Sequence, residues 1–209
     1  MMRREVSLKK AIRLKCYDAL EQAGFTRFAK EGVDWPLDDG FHCWVGLNTG
    51  VYPGRVEINP FVGVHVVPME RLAASIKGRK YDRGIASYAI PMGELDTVRN
   101  EQAFAFTPEQ SDDFVDSETQ RLAHLYATAG TAYASLIASY GQILPLLEER
   151  LDMLGGYPES VACCLYLMGD KAEACTFVAD FASKEPGYFS SFAAAFLKRV
   201  EGDASSGGH

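Results

Sequence analysis

Two histidines, a cysteine and a carboxylate fall in one stretch of this 209-residue chain, Phe41–Pro68, which reads FHCWVGLNTGVYPGRVEINPFVGVHVVP. Imidazole, thiol and carboxylate groups are the material of metal sites and of acid–base pairs. Whether His42, Cys43, Glu57 and His65 meet is a question of strand parity, because successive side chains of a strand point to opposite faces. Cys43 points away from His42, so a regular strand does not bring those two to one ligand. His42, Glu57 and His65 can share a face, and those three are the candidates for a small-ligand or enzymatic pocket between a sheet and a helical half. Trp44 lies on that face too. With Trp35, Tyr81 and Arg83 it supplies the residue types that dominate protein interfaces, because each joins a large contact area to one polar handle. Asp38 and Asp39 add acidic charge at the adjacent turn. Trp35, Asp38, Asp39, His42, Trp44, His65, Tyr81 and Arg83 are therefore the candidate partner-binding set.

Established catalytic signatures are missing from the sequence: it has no phosphate-binding Gly-Lys loop, no G-x-G-x-x-G, no H-E-x-x-H, no G-x-S-x-G and no paired C-x-x-C. The sequence therefore assigns no catalytic residues, no cofactor and no metal. The five cysteines (Cys16, Cys43, Cys163, Cys164, Cys175) are odd in number and scattered. That fits reduced, packed thiols better than a disulfide framework. Cys163 and Cys164 are adjacent on a predicted helix and point about 100° apart, which prevents joint chelation.

The net charge of −7 and pI near 5.1 argue against nucleic acid as partner, since an acidic chain repels phosphate. Charge is nonetheless segregated along the chain. Residues 1–30 and 77–83 are basic and 94–118 acidic, which reads as solvated faces. No run of 18 apolar residues is present, which argues against a membrane span, and the charged N-terminus lacks the apolar core of a signal peptide. The expected location is the cytoplasm.

These residues need a sheet to position them. Val56, Ile58, Val62, Val64 and Val66 share one parity, and Phe41, Cys43, Val45 and Leu47 form the matching row on the preceding strand. This aliphatic face calls for helices, expected at 5–23 and from Pro68 to Lys77. The turn-rich Asn48–Gly54 reads as a long hairpin loop, and Pro60 as a bulge or exposed edge. Short strands are expected at Phe25–Lys30, Val33–Leu37, Gly84–Ile90 and Gln102–Thr107. Beyond Thr107-Pro108 the pattern is helical, with Gly130 as an interruption and Pro145 in the first turn of a helix. The turn in Tyr166–Cys175 is similar to that of tetratricopeptide-type repeats, but one such turn makes only a helical hairpin. The expected architecture is α+β: an antiparallel sheet domain of about six strands over 1–107, a helical subdomain over 108–200, and a disordered tail over 201–209.

Gly24-Phe25-Thr26-Arg27, Trp35, the Phe41–Leu47 strand and Gly63-Val64-His65-Val66 together resemble the opening of uncharacterised bacterial α+β domains. Some of these occur among immunity proteins of polymorphic toxin systems and in other conflict loci. The resemblance covers residues 5–107. It implies a cytosolic, non-enzymatic, partner-binding role and transfers no catalytic residues.

Overall fold

Alternation from Phe41 onward builds the two longest strands of the molecule, β3 (Phe41–Tyr52) and β4 (Arg55–Val66). The computed structural model describes residues 2–98, 103–153 and 157–206. Its fold is α+β, with an open antiparallel sheet of six strands and a helical C-terminal part. The valine row is buried as parity requires: Val56, Val62, Val64 and Val66 are fully inaccessible, as are Phe41 and Cys43 to within 1%. The hairpin differs from expectation at its tip. Residues 48–52 stay in the ladder, and Pro53-Gly54 alone turns the chain, with Gly54 at φ 78°. Proline fixes a negative φ at the first turn position and glycine supplies the positive one at the second, so no long loop is needed.

In chain order the other elements of this part are α1 (Met2–Gln22), β1 (Thr26–Ala29), β2 (Gly32–Pro36), α2 (Val67–Ile76), β5 (Tyr88–Pro91), a 3-10 turn at Met92–Glu94, and β6 (Phe104–Phe106). The sheet order is β1-β2-β3-β4-β5, with β6 also beside β4 at Val56–Ile58. Helices α3 (Asp112–Leu125), α4 (Thr131–Leu136), α5 (Tyr140–Glu148), α6 (Pro158–Met168), α7 (Lys171–Lys184) and α8 (Pro186–Ser206) follow. Three sequence expectations are corrected here. Gly130 does not break the helix, because a π turn over Tyr126–Gly130 carries α3 into α4. Pro145 lies inside α5, which begins earlier than expected because Ser139 caps it by accepting from the Gln142 N–H. Residues 201–206, expected as tail, continue α8; Tyr166 and Arg199 both bind Asp203 there. The remaining tail positions, 207–209, lie outside the described residues.

The chain forms two compact units, Met1–His65 with Ala89–Ala138, and Val66–Tyr88 with Ser139–His209. The chain therefore passes between the units three times, after His65, Tyr88 and Ala138. The apolar face of α3 keeps it with the sheet: Val115, Leu122 and Tyr126 are buried, and Tyr126 bonds to the hairpin. By contrast α2 packs on α6 and α8 and belongs with the later helices.

Some of the basic residues are paired in space, and one of them, Lys15, reaches the acidic run. In the first unit Lys15 of α1 pairs with Asp116 (2.6 Å) and Asp112 (3.5 Å) at the start of α3. Arg27 binds Asp18 (2.6 Å) and Glu21 (2.9 Å), and Arg13 binds Glu31 (2.8 Å). In the second unit Lys77 pairs with Glu159. The exposed pairs among these add little stability each, whereas Glu159 is 7% exposed.

Candidate functional site

Cross-strand register decides which candidates share a face. Directly opposed residues of two paired strands point to the same side of the sheet. Asp34 is opposite Trp44, Trp35 opposite Cys43, and Pro36 opposite His42. Trp35 therefore faces the aliphatic side with Cys43, away from Trp44. Its indole packs edge-on against Phe25 at 5.4 Å and lies over Gly24, where an added Cβ would come within 2.9 Å of the ring. Trp35 is a packing residue for the end of α1, which corrects its place in the partner-binding set.

The same register brings in a residue that parity along a single strand could not reveal. Asp34, 1% exposed, joins His42 and Trp44 on the second face. Its Oδ1 lies 3.4 Å from Nδ1 of His42, within ion-pair range but outside hydrogen-bond geometry. The His42 and His65 rings are neighbours at 6.4 Å between centroids, tilted by 65°. His65 is completely buried, so its side chain is not available to meet an outside partner. The second face is closed at this end of β4, where Gly63, Val64 and His65 are all inaccessible. Glu57 does not join the histidines. It sits eight residues before His65 on one strand, about 26 Å along it at ~3.3 Å per residue, beside Arg55 at 2.8 Å.

Trp44 is half-buried and lies along its own strand over Gly46, where a Cβ would fall 2.4 Å from the ring. Glycine is thus required for the indole to lie flat. Between β2 and β3, Asp38 and Asp39 are both exposed in a tight turn. The Leu37 N–H donates to the Phe41 carbonyl (2.8 Å) and the Phe41 N–H to the Asp38 carbonyl (3.0 Å). Asp39 has φ 53°, and among the described residues no other non-glycine has a positive φ. Asp38, Asp39, His42 and Trp44 thus lie together on the β2–β3 turn and the strand it feeds. Tyr81 and Arg83 belong to the second unit, in the segment between α2 and β5, where Arg71 stacks on the Tyr81 ring at 5.3 Å.

Among the described residues no group of three or more His, Cys, Asp or Glu is placed to hold a metal ion, and no helix is long and apolar enough to cross a membrane. Cys16, Cys43, Cys163 and Cys164 are free and buried, and Cys175 is half-exposed. Burial pushes the Cys16, Cys43 and Cys164 thiols up to about 12, and Cys163 higher still with Glu70 and Glu159 nearby. The thiolate is the reactive form, so a chromogenic thiol reagent at neutral pH is expected to label Cys175 alone in the native protein and all five thiols after unfolding. Rapid labelling of two or more thiols in folded protein would contradict this burial.

In the first unit an apolar cavity of about 240 Å³ lies beside Pro60, lined by Ile58, Met92, Val98, Phe104 and Leu125 among others. None of the candidate residues lines it. Comparison with known proteins adds no neighbour: no protein-family model, no curated protein and no solved structure matches the chain.

Proposed function

We propose that this chain is a non-enzymatic binding protein that docks a basic protein partner through the β2–β3 turn and the adjoining Trp44 and His42. The observation that carries the reading is the turn itself: two exposed carboxylates held in fixed backbone geometry, with Asp39 in the left-handed region. Asp tolerates that region better than most residues, yet glycine fits it more easily. An aspartate in that conformation is consistent with a use for its charge. Exposed acidic groups at a rigid corner steer a cationic surface, and a half-buried indole beside them offers an anchor. The net charge of −7 counts against a nucleic-acid partner. The bacterial cytosolic, immunity- or defence-associated role implied by the resemblance of residues 5–107 is part of the same proposal.

Co-purification from the native host with mass spectrometry identifies the partner. Asp38→Ala/Asp39→Ala/Trp44→Ala is then expected to weaken binding at least about thirtyfold, the loss of a central anchor of ~2 kcal/mol or more. Gly46→Ala, whose added Cβ would displace the Trp44 ring while leaving Asp38 and Asp39 unchanged, is expected to weaken it as well. Unchanged affinity of the folded triple variant would remove this surface from consideration.

One observation favours a second reading, a small-ligand or enzymatic site: the contiguity of Asp34, His42 and His65. Asp34 Oδ1 lies 3.4 Å from His42 Nδ1, and the His42 and His65 rings are neighbours at 6.4 Å. On this reading a ligand or substrate screen yields a hit whose binding is lost in Asp34→Asn and His42→Gln but kept in the triple variant's Asp38 and Asp39 changes.

A further inference from the structure

In the second unit, Glu70 of α2 is 6% exposed and has contacts at both ends of the segment 79–87. At the far end the Ser87 hydroxyl donates to Glu70 Oε1 (2.9 Å) and its oxygen accepts the Val66 N–H (2.8 Å), capping a helix whose own N-cap side chain cannot. At the near end Arg79 Nη2 lies 3.8 Å from Glu70 Oε2. Between them the Tyr81 ring lies under the Arg71 guanidinium, one residue along α2 from Glu70. The segment leaves α2 through Gly78 at φ 61°, a conformation that side chains resist. One buried carboxylate thus fastens both ends of a nine-residue connection to the helix it follows.

We propose that residues 79–87 form a strap closed on α2 by the Glu70 carboxylate, and that loss of this clasp opens the strap while the helices of the unit stay folded. The strap carries Tyr81 and Arg83, so its opening changes how those two side chains are presented. The clasp is independent of the docking surface of the first unit. The charged environment fits a clasp. Burial pushes the Glu70 carboxyl above the usual range, while the Ser87 hydrogen bond, Arg79 and Lys77 act the other way. Two of the three groups that favour its ionised form are therefore strap residues. From α6, Cys163 faces the same carboxylate, and Glu159 is held by Lys77 and Tyr188.

The strap contains trypsin sites at Arg79, Lys80 and Arg83. In limited digestion of the full chain followed by mass spectrometry, Glu70→Ala is expected to speed cleavage at these bonds at least about tenfold, with cleavage after Lys171, Lys184 and Lys198 unchanged. Should Glu70→Ala fail to fold, Glu70→Gln keeps an acceptor for Ser87 but drops the charge facing Arg79, and a several-fold rise is expected. The proposal is overturned if folded variants show no selective acceleration, or if every site in the unit speeds up alike, which would make Glu70 a general stability residue.

Discussion

Tyr126→Ala is expected to destabilise the first unit by about 4 kcal/mol, the usual cost of removing a fully buried aromatic side chain. That is a large share of the ~5–15 kcal/mol that holds a domain together. The hydroxyl is expected to account for about 1–3 kcal/mol, which Tyr126→Phe isolates. The size of the effect follows from where the phenol ends. It reaches the hairpin and lies 2.8 Å from the Gly46 carbonyl and 3.0 Å from the Phe61 carbonyl, one from each long strand. One proton is shared between two acceptors, and Phe in its place leaves both carbonyls buried without that donor. Burial raises the phenol well above its ordinary range, so it stays a donor across the working pH range. The π turn begins at this residue, and Gly130 ends it where a Cβ would press within 3.0 Å of Met92 and 3.4 Å of Val62. Thr128 and Thr131 donate back to the carbonyls of His124 and Ala127, each at 2.8 Å, which meets acceptors along the widened turn. Urea unfolding of wild type, Tyr126→Phe and Tyr126→Ala measures both steps. A Tyr126→Phe midpoint equal to wild type would show that the bond between helix and hairpin contributes nothing.

The contrast between Tyr126 and the valine row marks what was legible in the sequence. Period-two alternation identifies the buried side of β3 and β4 because it depends on one strand at a time. Elements with clear punctuation were legible too, such as Pro68 at the start of α2 and the turn within Tyr166–Cys175 that separates α6 from α7. Trp35 was misplaced and Asp34 missed, since their neighbours depend on register between strands, whereas the distance of Glu57 from His65 follows from their eight-residue separation on one strand. Register is set by the turn at 38–40 and by the loop-free tip at Pro53-Gly54, neither of which alternation encodes. Tyr126 stood in a run that reads as plain helix, and an extra residue in a π turn leaves no mark on an apolar pattern. The residue types at 129–131 (Ala, Gly, Thr) instead favoured a break. The docking candidates divide along the same line: Asp38 and Asp39 were found from turn chemistry, whereas Trp35 was assigned from residue type alone.

Val64→Asp tests the alternation rule where it is under most strain. At Val64 the valine row is buried, but Gly63 and His65 on the opposite parity are buried as well, so here alternation separates two closed faces. Nearer the hairpin tip the rule separates wet from dry: Val56 and Ile58 are inaccessible, while Arg55 and Asn59 are exposed. An aspartate at position 64 would bury an unpaired charge in the apolar row it shares with Val62, at a cost of about 4 kcal/mol or more, or else take up a proton. Asn59→Asp places the same carboxylate on the same strand, but in water, and is expected to change stability by less than about 0.5 kcal/mol. Circular dichroism with urea titration at pH 5 and pH 8 reads both. Sign follows from the proton: burial at position 64 raises the introduced carboxyl above its unfolded value. The Val64→Asp variant should therefore be least unstable at low pH and lose stability as pH rises, while Asn59→Asp stays nearly flat. Equal tolerance at the two positions would mean that the valine row is not the interior of the sheet, and the placement of Trp44 and His42 on the opposite face would fall with it.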